Sequence, residues 1–262
     1  MAEKVQIGDY SITTELRDPS SIVPRPSSFV INTLNTHSWV VAEKDQAFKE
    51  ALLASDCLLP DGEGIVWAVK HVTGKKIRKI AGYDLFIFML EYLQRTGGTC
   101  FFLGGSPATL ELIRERLSRE YPGVRAGFYS PPFKEAFDEE DNDKINYELR
   151  KTNDELNSRI SNYENSSPLT AHRSPMTVLF VGMTAPKQEK WVFQNRERIP
   201  ADIVCSIGAV FDFYAGTGKR PPAWMVRSKL EWLGRLISCP KKIWKRVFLS
   251  GPRFFISVLK LK

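Results

Sequence analysis

The stretch MTVLFVGMTAPKQEKWVFQNRERIPADIVCSIG, Met176 to Gly208, decides the fold. It opens on a short, unbroken apolar run that stops at Gly182. A segment of helical character, APKQEKWVFQNRERI, follows, and then a second apolar run, ADIVCSIG, that stops at Gly208. Strands that are apolar throughout, rather than alternating, are buried on both faces. Two of them joined through a helix form the parallel βαβ unit.

The same alternation extends upstream. SFVINTLN (Ser28–Asn35), CLLP (Cys57–Pro60), TCFFLGG (Thr99–Gly105) and VRAGFYSPPF (Val124–Phe133) read as strands and the loops that leave them. One helix is expected over His37–Asp56, with Val40, Val41, Phe48 and Leu52 on its apolar face. Others are expected over Gly64–Gly74, Tyr83–Gly98 and Ser106–Gly123, the last capped by Ser106 with Pro107 in its first turn. The expected fold is α/β, a Rossmann-like parallel sheet covered by helices on both faces. Residues 1–27, polar and with prolines at 19, 24 and 26, read as a short hairpin or an ill-ordered arm. The polar segment Asp138–Asn165 reads as a thinly amphipathic helix that protrudes, with Ile145, Leu149, Leu156 and Ile160 on its stripe; with the link that follows it looks like an insertion at about 138–175.

Charge separates the C-terminus from the rest. Of the 262 residues, 37 are Lys or Arg and 30 are Asp or Glu; residues 224–262 hold ten of those bases and a single acid, Glu231. The remainder carries 27 bases against 29 acids. The tail also has Trp224, Trp232, Trp244, Phe248, Phe254 and Phe255. Basic, aromatic and aliphatic residues interleaved in this way suit an anionic membrane surface, whereas no nucleic-acid-binding module is recognisable, so no nucleic acid partner is expected. The division expected is a core, 1–223, and a basic, helical membrane-binding appendage, 224–262. Cys57, Cys100, Cys205 and Cys239 are far apart and form no C-x-x-C pair, which suits a reducing, cytoplasmic compartment. The N-terminus shows no secretory signal, and no run of about 18 apolar residues is present.

In an open parallel sheet the ligand lies beyond the carboxyl ends of the strands. The segments there are TLNTH, PDGEG, GGSPAT, YSPPF, GMTAPKQE and GAVFDF. Asp61, in PDGEG, has two readings: an N-cap of the next helix, or a general base that takes a proton from an attacking hydroxyl. GGSPAT offers N–H groups at a helix N-terminus that suit phosphate, but neither G-x-G-x-x-G nor a P-loop occurs, so a dinucleotide enzyme is poorly supported. Gln188 can donate to and accept from sugar hydroxyls. Glu189 reads as an acid favoured in a first helical turn. Asp212, in an aromatic run, reads as an ion-pair partner of Lys219 or Arg220. His37, His71 and His172 lack ligand spacing, and no metal site is expected.

VINTLNTH, LLPDGEGIVWAVK, KIAGYDL, FFLGGSPAT, SPPF, LFVGMTAPKQEKW, SIGAVFDFYAGTGKRPPAW and LEWLGRLISCPKK occur in one order, over about residues 28–250. In this the chain resembles the WecG/TagA/CpsF family, glycosyltransferases of family 26. The resemblance implies an inverting, metal-independent transfer, without a cofactor, from a UDP-sugar donor to a lipid-linked (polyprenyl diphosphate) glycan acceptor in cell-surface polysaccharide synthesis. The donors implied are UDP-N-acetylmannosamine, its uronic acid, or UDP-glucuronate or glucose-type sugars. The location implied is peripheral on the inner face of the plasma membrane.

It assigns the base to Asp61, catalytic partners to Thr33 and Gln188, and substrate binding to Asn35, Gly62, Gly104, Gly182, Lys187 and Lys79. Arg235, Lys242 and Lys245 would bring positive charge over the acceptor diphosphate. Lys79 stands where the family usually has Arg, and Lys242 and Lys245 where it often has Arg, replacing planar forks by point charges. Off the membrane, the apolar side of the tail would be hidden in a homo-oligomer. The alternative is a non-catalytic polysaccharide-assembly adaptor that keeps the fold.

Overall fold

The computed structural model describes residues 3–22, 27–164, 176–218 and 246–261, with isolated positions between 224 and 244. Six parallel strands form one sheet: β3 (Phe29–Leu34), β4 (Cys57–Pro60), β5 (Thr99–Gly104), β6 (Arg125–Tyr129), β7 (Thr177–Gly182) and β8 (Ile203–Ser206), in the spatial order β4-β3-β8-β7-β5-β6. The N-terminal strands β1 (Lys4–Ile7) and β2 (Tyr10–Thr13) make a separate antiparallel hairpin. Its two-residue turn begins at Gly8, whose φ of 54° suits such a connection. The polar start of the chain is thus an ordered hairpin, because Val5, Ile7, Tyr10 and Ile12 alternate inward and are buried.

The helices are α1 (Thr36–Ala42), α2 (Gln46–Leu53), α3 (Glu63–Thr73), α4 (Gly82–Thr96), α5 (Pro107–Glu120), α6 (Glu139–Glu164), α7 (Lys187–Asn195), α8 (Val210–Ala215) and α9 (Gly251–Leu259). The single helix expected over His37–Asp56 is two. Asp45 accepts from Phe48 N at 3.0 Å and starts α2 afresh, because a short acid in extended backbone satisfies an otherwise orphan N–H.

Both sheet faces are covered, as the apolar runs require. On one, Phe86 of α4 meets Phe180 and Tyr214 at ring separations of 4.9 and 5.0 Å, and Phe102 meets Phe211 at 5.5 Å. On the other, Val30, Leu179, Val181 and Val204 pack with Trp191 and Val192 of α7 and with Ile145 and Leu149 of α6. The first half of α6 does not protrude: it lies on the sheet, and Trp191 Nε1 donates to Asn142 Oδ1 at 2.8 Å. A third apolar cluster, around the β4 edge, joins the hairpin, α1, α2, α3 and α9. Cys57, Cys100 and Cys205 are buried free thiols, and burial pushes the Cys57 thiol up to about 11, so it stays protonated.

The described end of the tail has an inner and an outer face. Phe254 and Val258 are buried in that third cluster, with Phe254 edge-on to Trp39 at 5.5 Å. Phe248, Leu249, Phe255, Ile256 and Leu259 remain exposed. No helix among the described residues is long and apolar enough to cross a membrane.

Candidate active site

All six segments singled out in the sequence leave the carboxyl edge of one parallel sheet. The β3–β4 register pairs Thr33 with Leu59 and Leu34 with Pro60. Carried one residue further, it sets Asn35 beside Asp61. The backbone continues the ladder there, with Asp61 N donating to Leu34 O at 2.9 Å. Gly62, at φ 113°, occupies the N-cap position of α3, and Asp61 precedes it. A left-handed φ of that size excludes a β-branched or bulky residue, so the glycine after the acid is what lets α3 begin one position later.

Asn35 is itself a cap. Its Oδ1 accepts from His37 N at 3.0 Å, Ser38 N at 2.9 Å and Ser38 Oγ at 3.2 Å. That fixes its amide and aligns the first turn of α1 with the strand end. Lys79 lies in the connection to α4, which is tied to the same place by Ile80 N donating to Pro60 O at 2.9 Å.

On the far side of β3, β8 ends and turns through Gly208, at φ 58°. Gln188 Oε1 accepts from Gly208 N at 3.1 Å. Asp61, Thr33 with Asn35, and Gln188 with Gly208 therefore attach to three adjacent strand ends, two strand spacings across, about 10 Å. Gly104 and Gly182 pair in register at the ends of β5 and β7. A Cβ on Gly104 would lie 2.8 Å from Gly182 O, and one on Gly182 would lie 2.2 Å from Phe211 Cδ2. These two glycines allow close packing of backbone and ring at the point where the crossovers from β5 and β7 run in opposite directions.

Lys187 is engaged within the protein. Its ammonium sits 3.7 Å from the centroid of the Phe137 ring and donates to the Lys134 carbonyl, which ties α7 to the connection between β6 and α6. Asp212 is exposed on α8. Lys219 and Arg220, its expected partners, lie outside the described residues, as do Arg235, Lys242 and Lys245.

Sequence reasoning missed Glu189. This side chain is 3% exposed, and its Oε1 accepts from Gln188 Nε2 at 2.9 Å. Its Oε2 has no partner among the described residues. Burial raises the carboxyl to about 7, opposed by the Gln188 bond. A first-turn acid looks unremarkable by composition. The available signal was its place in an inward-facing set, Gln188, Glu189, Trp191, Val192 and Asn195, all buried.

The end of the chain reaches this edge. His37 Nδ1 and Ser250 Oγ are hydrogen-bonded at 2.9 Å, next to Asn35. Gly64, in the first turn of α3, would place a Cβ 2.2 Å from Thr36 Cγ2 and 3.5 Å from Phe254. The mouths of α1 and α3 and the buried face of α9 thus converge beside Asp61.

The model of the glycosyl transferase WecG/TagA/CpsF family matches residues 4–156 and 164–262. The chain belongs to this family. It is similar, at 29% identity over 231 residues, to the N-acetylglucosaminyldiphosphoundecaprenol N-acetyl-beta-D-mannosaminyltransferase of Bacillus subtilis (strain 168), covering 88% of this chain and 79% of that protein. A protein of the same name from Bacillus spizizenii (strain ATCC 23059 / NRRL B-14472 / W23) is 28% identical over 234 residues, 89% of this chain and 79% of its own. The protein is therefore a glycosyltransferase. The family match runs through most of α6 and resumes at residue 164, so the glycosyltransferase model includes the crossover helix up to residue 156.

Proposed function

We propose that this glycosyltransferase moves a hexose-type sugar from a UDP-sugar to a polyprenyl-diphosphate-linked acceptor, with inversion, in cell-surface polysaccharide synthesis. The relatives' names, which specify a lipid-diphosphate acceptor and an N-acetylmannosaminyl group, support the acceptor class and a hexosamine-like donor. The observation that carries the mechanism is the position of Asp61: it follows the β4 strand end beside Asn35, and Gly62 fills the cap position that was its competing role.

In this reading Asp61 takes the proton of the acceptor hydroxyl as that oxygen attacks the anomeric carbon. The carbon–oxygen bond to UDP breaks on the opposite face, and UDP leaves with the bonding pair. Positioned general bases contribute roughly 10²–10⁴ in rate. Thr33, Asn35 and Gln188 hold the sugar and nucleotide. The strand-end amides at Gly62, Gly104 and Gly182, Lys79, and the tail cations Arg235, Lys242 and Lys245 meet the diphosphate charge, without a metal. The contact of Ser250 with His37 supports the tail cations' part, because it anchors the chain next to Asn35.

The same tail supports a peripheral site on the inner membrane face. Phe248, Leu249, Phe255, Ile256 and Leu259 are exposed with the basic Arg253 and Lys260 among them, the composition of an interfacial helix. Away from a bilayer, this apolar surface would be covered by a second copy of the chain.

The test is UDP release from a panel of UDP-sugars in the presence of membranes bearing lipid-diphosphate sugars, with Asp61→Asn and EDTA arms. Release with one donor, unchanged by EDTA and lost in Asp61→Asn, is expected. Equal turnover by wild type and Asp61→Asn would remove Asp61 as base. Loss of activity in EDTA would overturn metal independence.

A further inference from the structure

Glu189 Oε2, Asn32 Oδ1 and Ser206 Oγ are among the buried polar atoms with no partner among the described residues. Asn32 and Ser206 are fully buried. The register Ile31↔Cys205, carried one residue further, sets them side by side. Strand alternation from Val30 and Val204 puts both on the face that α7 covers. A carboxyl group is costly in such a place, and its Oε1 accepts from a residue of the proposed site. The Gln188 amide is gripped at both ends, its oxygen by Gly208 N–H and its nitrogen by Glu189. One Nε2–H is thereby used, within a side chain that is itself 3% exposed.

We propose that Glu189 is a positioning residue for the transfer reaction: its ionised carboxylate fixes the Gln188 amide between Glu189 and the β8–α8 turn, and protonation releases that grip. The inference rests on reading Gln188 as a substrate-contacting residue. The physical reason is the strength of the bond. An amide N–H held by a carboxylate is roughly twice as strongly bound as one held by a neutral acceptor. A protonated Glu189 also becomes a donor and competes with Gly208 N–H for the Gln188 oxygen, which permits the amide to turn over.

Burial brings the change of state to about pH 7, within the working range of an enzyme. The charged groups on the elements around Glu189 are engaged elsewhere. Lys190 pairs with Asp45, the N-cap of α2, at 2.8 Å, Asp141 of α6 pairs with Lys134 at 2.8 Å, and Lys187 lies against Phe137. The sheet face beneath offers the uncharged Asn32 and Ser206. No cation pairs with Glu189 among the described residues.

The experiment is a pH series, from about 5.5 to 9, of kcat and KM for the full-length protein with donor and lipid acceptor, in wild type, Glu189→Gln and Gln188→Ala. The wild-type kcat is expected to rise through about pH 7. Glu189→Gln, a permanent copy of the neutral form, should lose that rise and run about tenfold below wild type at the alkaline end, with acceptor KM unchanged. Gln188→Ala should be at least as impaired and equally flat.

If Gln188→Ala is impaired but Glu189→Gln keeps the wild-type pH profile, the positioning role is wrong and the reading of Gln188 stands. If Gln188→Ala retains full activity, both fall. A measurement on the unaltered protein guards against misfolding of the variants: the side-chain amide resonances of Gln188 should shift with the Glu189 carboxyl titration. Resonances that stay fixed while the carboxyl titrates overturn the proposal.

Discussion

Asp61 and Leu34 are joined across β4 and β3 by a backbone hydrogen bond of 2.9 Å, one residue past the end of the β4 strand. The bond extends the sheet just far enough to fix the main chain of the acid beside Asn35. It also leaves the start of α3 to Gly62. A carboxylate on a strand end is held by rigid elements, as a base that must meet a hydroxyl at hydrogen-bonding distance requires.

Asp61→Asn is expected to lower transfer by about 10²–10⁴ while leaving in place the α3 cap, which Gly62 occupies. UDP release and thermal melting on the same preparation check both halves. A melting temperature that falls with activity would return Asp61 to a structural role.

Asn35 joins two roles that substitution can part. Asn35→Ala should cost about 1 kcal/mol through loss of the α1 cap. Asn35→Asp keeps the cap oxygen, so the melting point should hold. It also sets a second negative charge beside Asp61, and activity should drop at least tenfold. Full activity in Asn35→Asp would remove Asn35 from substrate binding.

Gly182→Ala would drive a methyl to 2.2 Å from Phe211 Cδ2, in a region already filled by Phe102 and Phe211. Overpacking of this kind costs about 1–3 kcal/mol, with a lower melting temperature. Denaturant unfolding gives the number; a neutral result would mean that the ring moves freely into solvent.

Glu189 should make stability and activity move in opposite directions. Its carboxyl is raised by burial from 4.5 to about 7, so the native state holds the proton more tightly than the unfolded chain. The stability this gives is fully present below about pH 4.5 and is lost as pH rises through about 7. The loss is about 3 kcal/mol above pH 7. Glu189→Gln lacks that loss, so relative to wild type it should gain melting temperature at pH 8 over its difference at pH 4.5. No such gain would mean that the carboxylate finds solvent or a cation in the folded protein.

The tail separates into an inner and an outer face. Phe254→Ala should destabilise the fold by about 3–5 kcal/mol, because the ring is fully buried against Trp39. Ile256→Asp and Leu259→Asp, at 56% exposed positions, should leave the melting point within about 0.5 kcal/mol of wild type and weaken binding to anionic liposomes. Unaltered liposome binding by the double variant would rule out this face as the membrane contact.

The sequence by itself determined the fold class and the segments that leave the sheet's carboxyl edge. Uniformly apolar strands such as VLFV and IVCS have no solvent face, so they require helices above and below, and each is followed by polar residues where a parallel sheet opens its crevice. Tertiary structure decided the rest. Period and composition do not reveal that Asp45 restarts a helix, that Asn142 of the polar α6 is bonded to Trp191, or that Lys187 turns to Phe137. The choice between cap and base for Asp61 narrowed only when Gly62 was found in the cap position. Glu189 stayed invisible for the same reason: a carboxylate in a first helical turn is ordinary in water, and only its burial, with one oxygen bonded to Gln188 and the other unpartnered among the described residues, sets it apart. Local sequence sets which groups are present, whereas their desolvation and their partners come from residues distant in the chain.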